Sequence, residues 1–299
     1  MSVEFCGLRL AHPVINGSGT FDAIAARRVF GEELREAFPF SAYVSKTITL
    51  EPREGNPPPR LWEASGGLVN SIGLPNKGLD GYLREDLPQL ADLLAGAHTE
   101  AVPLITNVMG STAEEIGRLL QACDERAEIA AVELNVSCPN VETGLDIGAD
   151  PRNLEQVVRA VRGRTAKPLI VKLTPNTADV AACAQAAQEG GADAVSLINT
   201  LRATALAPGT RPGPRPPRLG GGGGGLSGPA VRAVALAQVA AVAGRVGIPV
   251  IGMGGVQRAE HARELIDVGA TLVAVGTESF RDPAAAAGIA RGLREMAAG

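Results

Sequence analysis

Apolar residues recur along the chain as eight short runs, and amphipathic segments lie between most of them. The high apolar content of the runs is typical of parallel strands that are buried on both faces of a sheet. Eight strands that alternate with helices favour an α/β fold of the (β/α)8 TIM-barrel type over the alternative, an open doubly wound sheet. The runs are PVINGSG (13–19), AYVSKTIT (42–49), PLITNVMG (103–110), AAVELNVS (130–137), PLIVKLTP (168–175), AVSLINT (194–200), PVIGMGG (249–255) and LVAVGTE (272–278). The predicted helices include 112–126, 153–163, 178–191 and 258–269.

Local signals add detail to this barrel. Thr112 followed by Glu115 is typical of a helix capping box, and the glycines at 190–191 and 269 predict helix ends. The short runs VEF and LRL, which flank Cys6-Gly7, predict an N-terminal β-hairpin that closes the bottom of the barrel.

Three connections are too long to be simple turns, and they carry much of the proline and glycine: 50–80, 138–152 and 201–229. The last of them contains six consecutive glycines at 220–225. Taken alone, such a run is typical of a flexible linker. Its position ahead of PVIGMGG puts it on the C-terminal face of the barrel, where long loops more often form lids or binding sites.

Composition and charge limit the classes of protein to which the chain can belong. Of the 299 residues, 45% are hydrophobic and 20% are charged, which fits a globular protein with a sizeable core. The net charge of -4 gives no reason to expect nucleic acid or an anionic membrane as a partner. No apolar stretch approaches the roughly 20 residues of a membrane span, and MSVEFCGLRL does not have the pattern of a secretory signal. We therefore expect one cytoplasmic barrel domain over residues 1–299, with four scattered free cysteines and no metal site.

Polar residues follow the predicted strands at the point where each strand ends. Because the active sites of TIM barrels lie at the C-terminal ends of the strands, we expect these residues to share one site. A single Asn or Lys at a strand end is usually a turn or surface residue, but repetition over six strands indicates function. The residues are Asn16, Gly17, Ser18, Gly19, Thr20, Lys46, Thr47, Asn107, Asn135, Cys138, Lys172, Asn199, Thr200, Gly254, Gly255, Gly276 and Thr277.

The lysines and glycines of this set indicate an anionic ligand. Lys46 and Lys172 lie inside apolar runs, so we expect both to be buried, and no acidic residue stands beside either one in sequence. Burial of an unpaired ammonium is costly, so a bound anionic cofactor or substrate should supply the opposite charge. The glycines after strands seven and eight let backbone N–H groups approach a phosphate closely. The GxGxxG fingerprint is absent, which disfavours direct NAD binding.

Cys138 stands directly after a strand and before a proline, so it opens a loop rather than filling a core. The commonest intracellular cysteine is an inert packed residue. A nucleophilic cysteine normally needs a histidine, but His12 and His98 should lie at the barrel bottom and His261 on its outside. A Cys–His hydrolase is therefore disfavoured. A thiol can also act as a general base.

Several motifs together resemble the class 1 dihydroorotate dehydrogenases, in order and spacing along nearly the whole chain. They are ELNVSCPN, VKLTPN, SLINT, GGLSGPA, IPVIGMGGV, AVGTESFRDP, KTITLEPREGNPPPR and LVNSIGLPN. SCPN together with GLPN is the most specific part. The resemblance implies oxidation of (S)-dihydroorotate to orotate, with FMN as the hydride acceptor, in the de novo synthesis of UMP.

The resemblance also implies a role for each site residue. Cys138 would be the general base that removes the C5 proton while the C6 hydride passes to FMN. The implied substrate residues are Lys46, Asn70, Ile72, Gly73, Leu74, Asn135, Asn140, Asn199 and Thr200. The implied FMN residues are Ser18, Gly19, Thr20, Lys46, Thr47, Asn107, Asn135, Lys172, Ile198, Ser227, Gly228, Gly254, Gly255, Gly276 and Thr277.

TGLDIGADP and SLINT resemble class 1B more than class 1A. Class 1B implies a heterotetramer in which a second subunit carries FAD and a [2Fe–2S] cluster and passes electrons to NAD. The chain has no cysteine cluster for iron–sulfur ligation, so the cluster would belong to the partner. A lone homodimer that uses fumarate would indicate class 1A.

Three rival functions remain open at this stage. A dihydropyrimidine dehydrogenase-type barrel would act on uracil or thymine, whose rings lack the carboxylate that a lysine would bind. A tRNA dihydrouridine synthase would need a basic surface and an RNA-binding domain. The third is a non-catalytic flavin-binding or scaffold barrel.

Overall fold

The structure is a computed structural model, and it describes residues 2–97, 101–136, 147–209 and 213–298. The strands are β1 (Val3–Phe5), β2 (Leu8–Leu10), β3 (Val14–Asn16), β4 (Tyr43–Val44), β5 (Leu61–Ala64), β6 (Gly67–Asn70), β7 (Leu104–Val108), β8 (Ile129–Asn135), β9 (Leu169–Lys172), β10 (Ala194–Leu197), β11 (Leu201–Ala203), β12 (Gly224–Ser227), β13 (Val250–Met253) and β14 (Leu272–Val275). The α-helices are α1 (Ala23–Phe30), α2 (Glu32–Glu36), α3 (Gly78–Gly81), α4 (Leu87–Ala95), α5 (Ala113–Asp124), α6 (Pro151–Arg162), α7 (Val180–Glu189), α8 (Arg232–Ala243), α9 (Ala259–Asp267) and α10 (Ala285–Ala298). A π-helix covers Tyr82–Asp86, and 3-10 helices cover Pro229–Val231 and Thr277–Phe280.

Eight parallel strands form a nearly closed barrel, in the order β3-β14-β13-β10-β9-β8-β7-β4. At the seam between β3 and β4, the side chain of Asn16 takes the place of a backbone ladder. Its Oδ1 accepts a hydrogen bond from the Val44 N–H at 2.7 Å, and its Nδ2 donates to the Val44 carbonyl at 2.8 Å. The predicted TIM-barrel fold is confirmed, with all eight strands where the apolar runs stand. Asn16, which the strand-end pattern grouped with the site, instead closes the barrel.

The N-terminal hairpin fills the bottom of the barrel, as predicted. β1 and β2 pair antiparallel, with Phe5 opposite Leu8. Phe5 and Leu10 are each 1% exposed, and both belong to a cluster with inward-facing strand residues such as Ile15 and Ile251. Burial of a large apolar side chain of this kind contributes about 1.5–3 kcal/mol, so the hairpin stabilises the open end of the barrel.

Two of the three long connections are more regular than their composition indicates. β5 and β6 come from the first, and β11 and β12 from the last, and they form one sheet in the order β11-β12-β6-β5. In this sheet Asn70 pairs with Gly225, which is more than 150 positions away in the chain. Sequence patterns did not indicate this sheet, because its partner strands are too distant in sequence for a local pattern to show them.

Local helix signals are confirmed. The Thr112 Oγ1 accepts from the Glu115 N–H at 3.2 Å, and the Glu115 carboxylate accepts from the Ser111 N–H at 2.7 Å. α7 stops at Gly190, and Gly269 follows α9 with a φ of 110°. Within the described ranges, no helix combines the length and the apolar character needed to cross a bilayer.

Candidate functional site

A cavity of about 370 Å³ opens at the C-terminal ends of the barrel strands, under the sheet that β5, β6, β11 and β12 form. Most residues that the sequence assigned to the site line it. They are Ser18, Gly19, Thr20, Lys46, Thr47, Asn70, Ile72, Leu74, Asn135, Lys172, Ile198, Asn199, Thr200, Ser227, Gly228, Gly254, Gly255, Gly276 and Thr277. Parallel strands of a barrel end on the same face, which explains why residues so far apart in sequence meet here.

Five predicted residues are not among those that line the cavity, and one of them, Asn16, closes the barrel as described above. Cys138 and Asn140 lie outside the described residues. Gly73 is set back from the cavity, with its Cα against Asn56. Asn107 is fully buried inside the barrel, and it does not reach the surface of this cavity.

Asn107 belongs to a buried polar group that sequence reasoning missed. Its Nδ2 donates to Oε2 of Glu133, and the Ser196 hydroxyl donates to Oε1 of the same carboxylate at 2.7 Å. Glu133 is 2% exposed, and a buried carboxylate needs such donors. The alternation of Glu133 and Asn135 in β8 could have indicated it, since residues two apart in a strand face the same way. Oδ1 of Asn107 is buried without a partner among the described residues.

The two lysines differ in their surroundings. Lys172, the last residue of β9, is 6% exposed and lines the cavity. Among the described residues, no hydrogen bond or ion pair reaches its ammonium group, as the sequence predicts for a residue that awaits an anion. Lys46 is exposed, so the prediction that it is buried was wrong. It extends from the end of β4 into open space, where it lines this cavity and a second one.

Glycines bring three backbone segments together on one wall of the cavity. Gly255 has a φ of 70°, and a Cβ atom on it would lie 2.8 Å from the Cβ of Arg232. Gly228 has a φ of 91° and contacts Gly67. Only glycine adopts these conformations at such close contacts without strain. On the same wall the Thr277 hydroxyl donates to the Ser227 hydroxyl at 2.8 Å. A wall of bare backbone and hydroxyl groups suits a phosphate.

Amides and hydroxyls line another part of the cavity. Nδ2 of Asn70 donates to the carbonyl of Gly225 at 3.2 Å, which holds its side chain at the end of β6. The Thr200 N–H donates to Oδ1 of Asn199 at 2.8 Å. Asn135 ends β8 and contacts Thr47 Oγ1 at 3.5 Å. Amide groups that carry a donor and an acceptor side by side suit a ring with alternating N–H and C=O groups.

The described cysteines are poor candidates for chemistry. Burial, with a smaller contribution from Asp193, raises the pKa of the Cys6 thiol to about 11. Burial also raises the pKa of Cys123 to about 12. Cys183 is fully buried. Since a thiol must lose its proton to act as base or nucleophile, Cys6 and Cys123 are unreactive at neutral pH.

Neither of the two described histidines, His12 and His261, is among the residues that line the cavity. His12 is buried beside β3, and its Nδ1 accepts from the Val14 N–H at 3.3 Å. His261 lies on α9, and its Nδ1 accepts from the Gln257 N–H at 3.4 Å. His98 lies outside the described residues. The position of His12 ahead of β3 and of His261 on a helix agrees with the prediction, although His261 contacts Gln257, which lines the cavity.

The rim of the cavity is apolar, which the sequence did not indicate. Leu61 and Phe280 line the cavity and are 44% and 55% exposed, and Leu68 lines it as well. The second cavity, of about 350 Å³, lies between α1 and the segment that precedes α4, and Lys46 stands at the border of the two. Among the described residues, no group of His, Cys, Asp and Glu side chains is arranged to hold a metal ion.

Comparisons with known proteins all find dihydroorotate dehydrogenases. The family model described as dihydroorotate dehydrogenase matches residues 1–297. A relative from Geotalea uraniireducens, named "Dihydroorotate dehydrogenase B (NAD(+)), catalytic subunit", is 43% identical over 98% of this chain and 92% of its own length. A relative from Geobacter sulfurreducens with the same name is 44% identical over 97% of this chain and 90% of its own length.

Among solved structures, a dihydroorotate dehydrogenase from Eimeria tenella in complex with ferulenol has a TM-score of 0.78 to this chain. The alignment covers 99% of this chain and 84% of that one, at 21% sequence identity. At this identity the likeness supports the barrel fold.

Proposed function

The chain belongs to the dihydroorotate dehydrogenase family, and on this premise we propose that it oxidises (S)-dihydroorotate to orotate with FMN as hydride acceptor. It is an oxidoreductase of pyrimidine biosynthesis, and its similarity to B-type catalytic subunits makes it a class 1B member. One observation carries the proposal. A single cavity at the strand ends combines a buried ammonium, a glycine wall and a set of amides.

The residues present fit FMN. The glycine wall at Gly228, Gly255 and Gly276 leaves backbone exposed to a phosphate without any Cβ in the way. Lys172 offers a buried positive charge that favours the negative charge a flavin gains on reduction. Bound FMN would supply the acceptor for the hydride that leaves C6 of the substrate. The barrel over residues 1–299 would form this FMN-binding domain by itself.

The amide and hydroxyl residues of the cavity fit dihydroorotate. Asn70, Asn135 and Asn199 can donate to its ring carbonyls and accept from its ring N–H groups. The Thr200 hydroxyl can do either. Lys46, which is exposed in the cavity, can bind the carboxylate. Together these groups fix the ring with its C5 and C6 hydrogens toward the reacting groups.

Cys138 is the proposed general base for the C5 proton, with Asn140 beside the substrate. The chain tethers this thiol to the site, because three residues after Asn135 span at most about 10 Å. The described cysteines cannot replace it, since burial raises the pKa of Cys6 and of Cys123 far above neutrality.

Flavin reduction tests this assignment directly. We expect Cys138→Ala to bind FMN as the parent does but to be reduced by dihydroorotate about 10²–10⁴ times more slowly under anaerobic stopped-flow conditions. Cys6→Ala, at the barrel bottom, is the matched control and should reduce at the parent rate. Parent-like reduction by Cys138→Ala would refute the base assignment. Reduction by dihydrouracil as fast as by dihydroorotate would refute the substrate.

We further propose a partner subunit with FAD and a [2Fe–2S] cluster that takes the electrons to NAD, in a cytoplasmic heterotetramer built on a homodimer of this chain. The names of the relatives, B-type catalytic subunits, support such a partner. Co-purification of a second, cysteine-rich chain with its own flavin tests the assembly. Rapid oxidation of the reduced protein by fumarate, without any second chain, would refute it.

A further inference from the structure

The last two of the six glycines at 220–225 pack against residues of the site, whereas Gly223 is exposed. A Cβ atom on Gly224 would lie 2.3 Å from the carbonyl oxygen of Asn70, and one on Gly225 would lie 1.8 Å from Oγ1 of Thr200. Real Cβ atoms essentially never come closer than 3.0 Å to such neighbours. At Gly223 the nearest atom is 3.9 Å away. Gly224 and Gly225 therefore leave no space for a side chain, whereas Gly223 does.

Gly225 joins the two strands that carry proposed substrate residues. It is buried and pairs with Asn70 in the ladder of β12 with β6, and with Arg202 in the ladder of β12 with β11. Its carbonyl accepts the hydrogen bond from Nδ2 of Asn70 at 3.2 Å. Its Cα faces the side chain of Thr200, the residue directly before β11. Gly225 thus fixes the spacing between Asn70 and Thr200.

A side chain at this position could not be accommodated by a rotamer change. The Cβ of Thr200 would itself be 2.4 Å from the new Cβ atom, and its place is set by the backbone. The overlap can be relieved only if β11 moves away from β12, which carries Thr200 with it. The three nearest neighbours of the new Cβ all belong to the side chain of Thr200, so that side chain is the main source of the conflict.

We propose that Gly225 is a positioning residue for dihydroorotate, which sets the distance between the Thr200 hydroxyl and the Asn70 amide across the substrate ring. This inference rests on the proposed function of the cavity. The substrate ring is rigid, so its hydrogen bonds to two strands can form together only at one strand separation. In the glycine wall, Gly255 and Gly276 lie on other elements; Gly228 follows β12, whereas the strand that must move is β11.

The test compares Gly225→Ala with Gly223→Ala, the same substitution two positions away in the same run. For Gly225→Ala we expect the KM for dihydroorotate to rise about tenfold or more, because substrate binding is lost in ground and transition state alike. kcat should change much less, and the FMN content of the purified protein should stay at the parent value. Gly223→Ala should match the parent in KM, kcat and melting temperature.

A double-mutant cycle separates positioning from general damage. In a Thr200→Gly background, which removes all three clashing atoms, Gly225→Ala should not raise the KM further. Comparison of Thr200→Gly with the double variant Thr200→Gly/Gly225→Ala tests the inference even if Gly225→Ala alone fails to fold. An additional rise in KM in the Thr200→Gly background, or equal KM values for Gly225→Ala and Gly223→Ala, would overturn the inference. If the parent itself did not oxidise dihydroorotate, the proposed function would fail first, and the inference with it.

Discussion

Asn16 closes the barrel, and its removal should destabilise the whole protein. Its side chain bonds both the N–H and the carbonyl of Val44, and both residues are buried. Asn16→Ala leaves these two backbone groups without partners in a site that water does not reach. Each buried unsatisfied group costs about 1–3 kcal/mol, so the expected loss is about 2–6 kcal/mol. For a chain of this length that corresponds to a decrease in melting temperature of roughly 4–12 °C.

The assay is thermal unfolding of the FMN-free protein, followed by far-UV circular dichroism. FMN-free protein is needed because a bound ligand adds its own stabilisation. Asn153→Ala is the control: Asn153 lies at the start of α6, and among the described residues its side chain makes no hydrogen bond. It should melt within about 1 °C of the parent. An Asn16→Ala variant that melts as the control does would show that the seam is held by other contacts.

Three further predictions concern charge, backbone and pH. Lys172→Met should weaken FMN binding by about tenfold or more, as measured by fluorescence titration. The FMN-free variant should melt no lower than the FMN-free parent. A lower melting temperature would mean that Lys172 is already paired without a ligand. Gly255→Ala places a Cβ 2.8 Å from the Cβ of Arg232 and should yield protein with less bound FMN per chain, whereas Gly288→Ala, with open space at its Cβ, should retain the parent ratio. Burial and, secondarily, nearby arginines lower the pKa of His261, so the folded state loses stability as the pH falls below about 6.5. The decrease in melting temperature between pH 7.5 and 5.5 should be smaller in His261→Gln, and an unchanged decrease would exclude this histidine as its source.

The buried polar group around Glu133 could be predicted only in part from local sequence patterns. The motif ELN at the end of β8 is visible in the sequence, and the alternation of its residues puts Glu133 and Asn135 on one face. Asn107 comes from the neighbouring strand β7 and Ser196 from β10, two strands away on the other side, and only the folded sheet brings both within hydrogen-bonding distance of Glu133. Asn107 therefore donates a hydrogen bond to a buried carboxylate inside the barrel, although its position at a strand end resembles that of the ligand-binding residues.

The sequence by itself determined the alternation of strands and helices, the N-terminal hairpin, the capping of α5 and the common face on which the strand-end residues meet. These features follow from side-chain periodicity, turn chemistry and the parallel direction of the strands, all of which act over short stretches of chain. Tertiary structure alone decided that Lys172 is buried while Lys46 is exposed, and that the glycine run forms β12 against Asn70 and Thr200. The reason is physical: burial, strand pairing across the barrel mouth and the close approach of backbones depend on contacts between residues remote in sequence, and no local pattern carries that information.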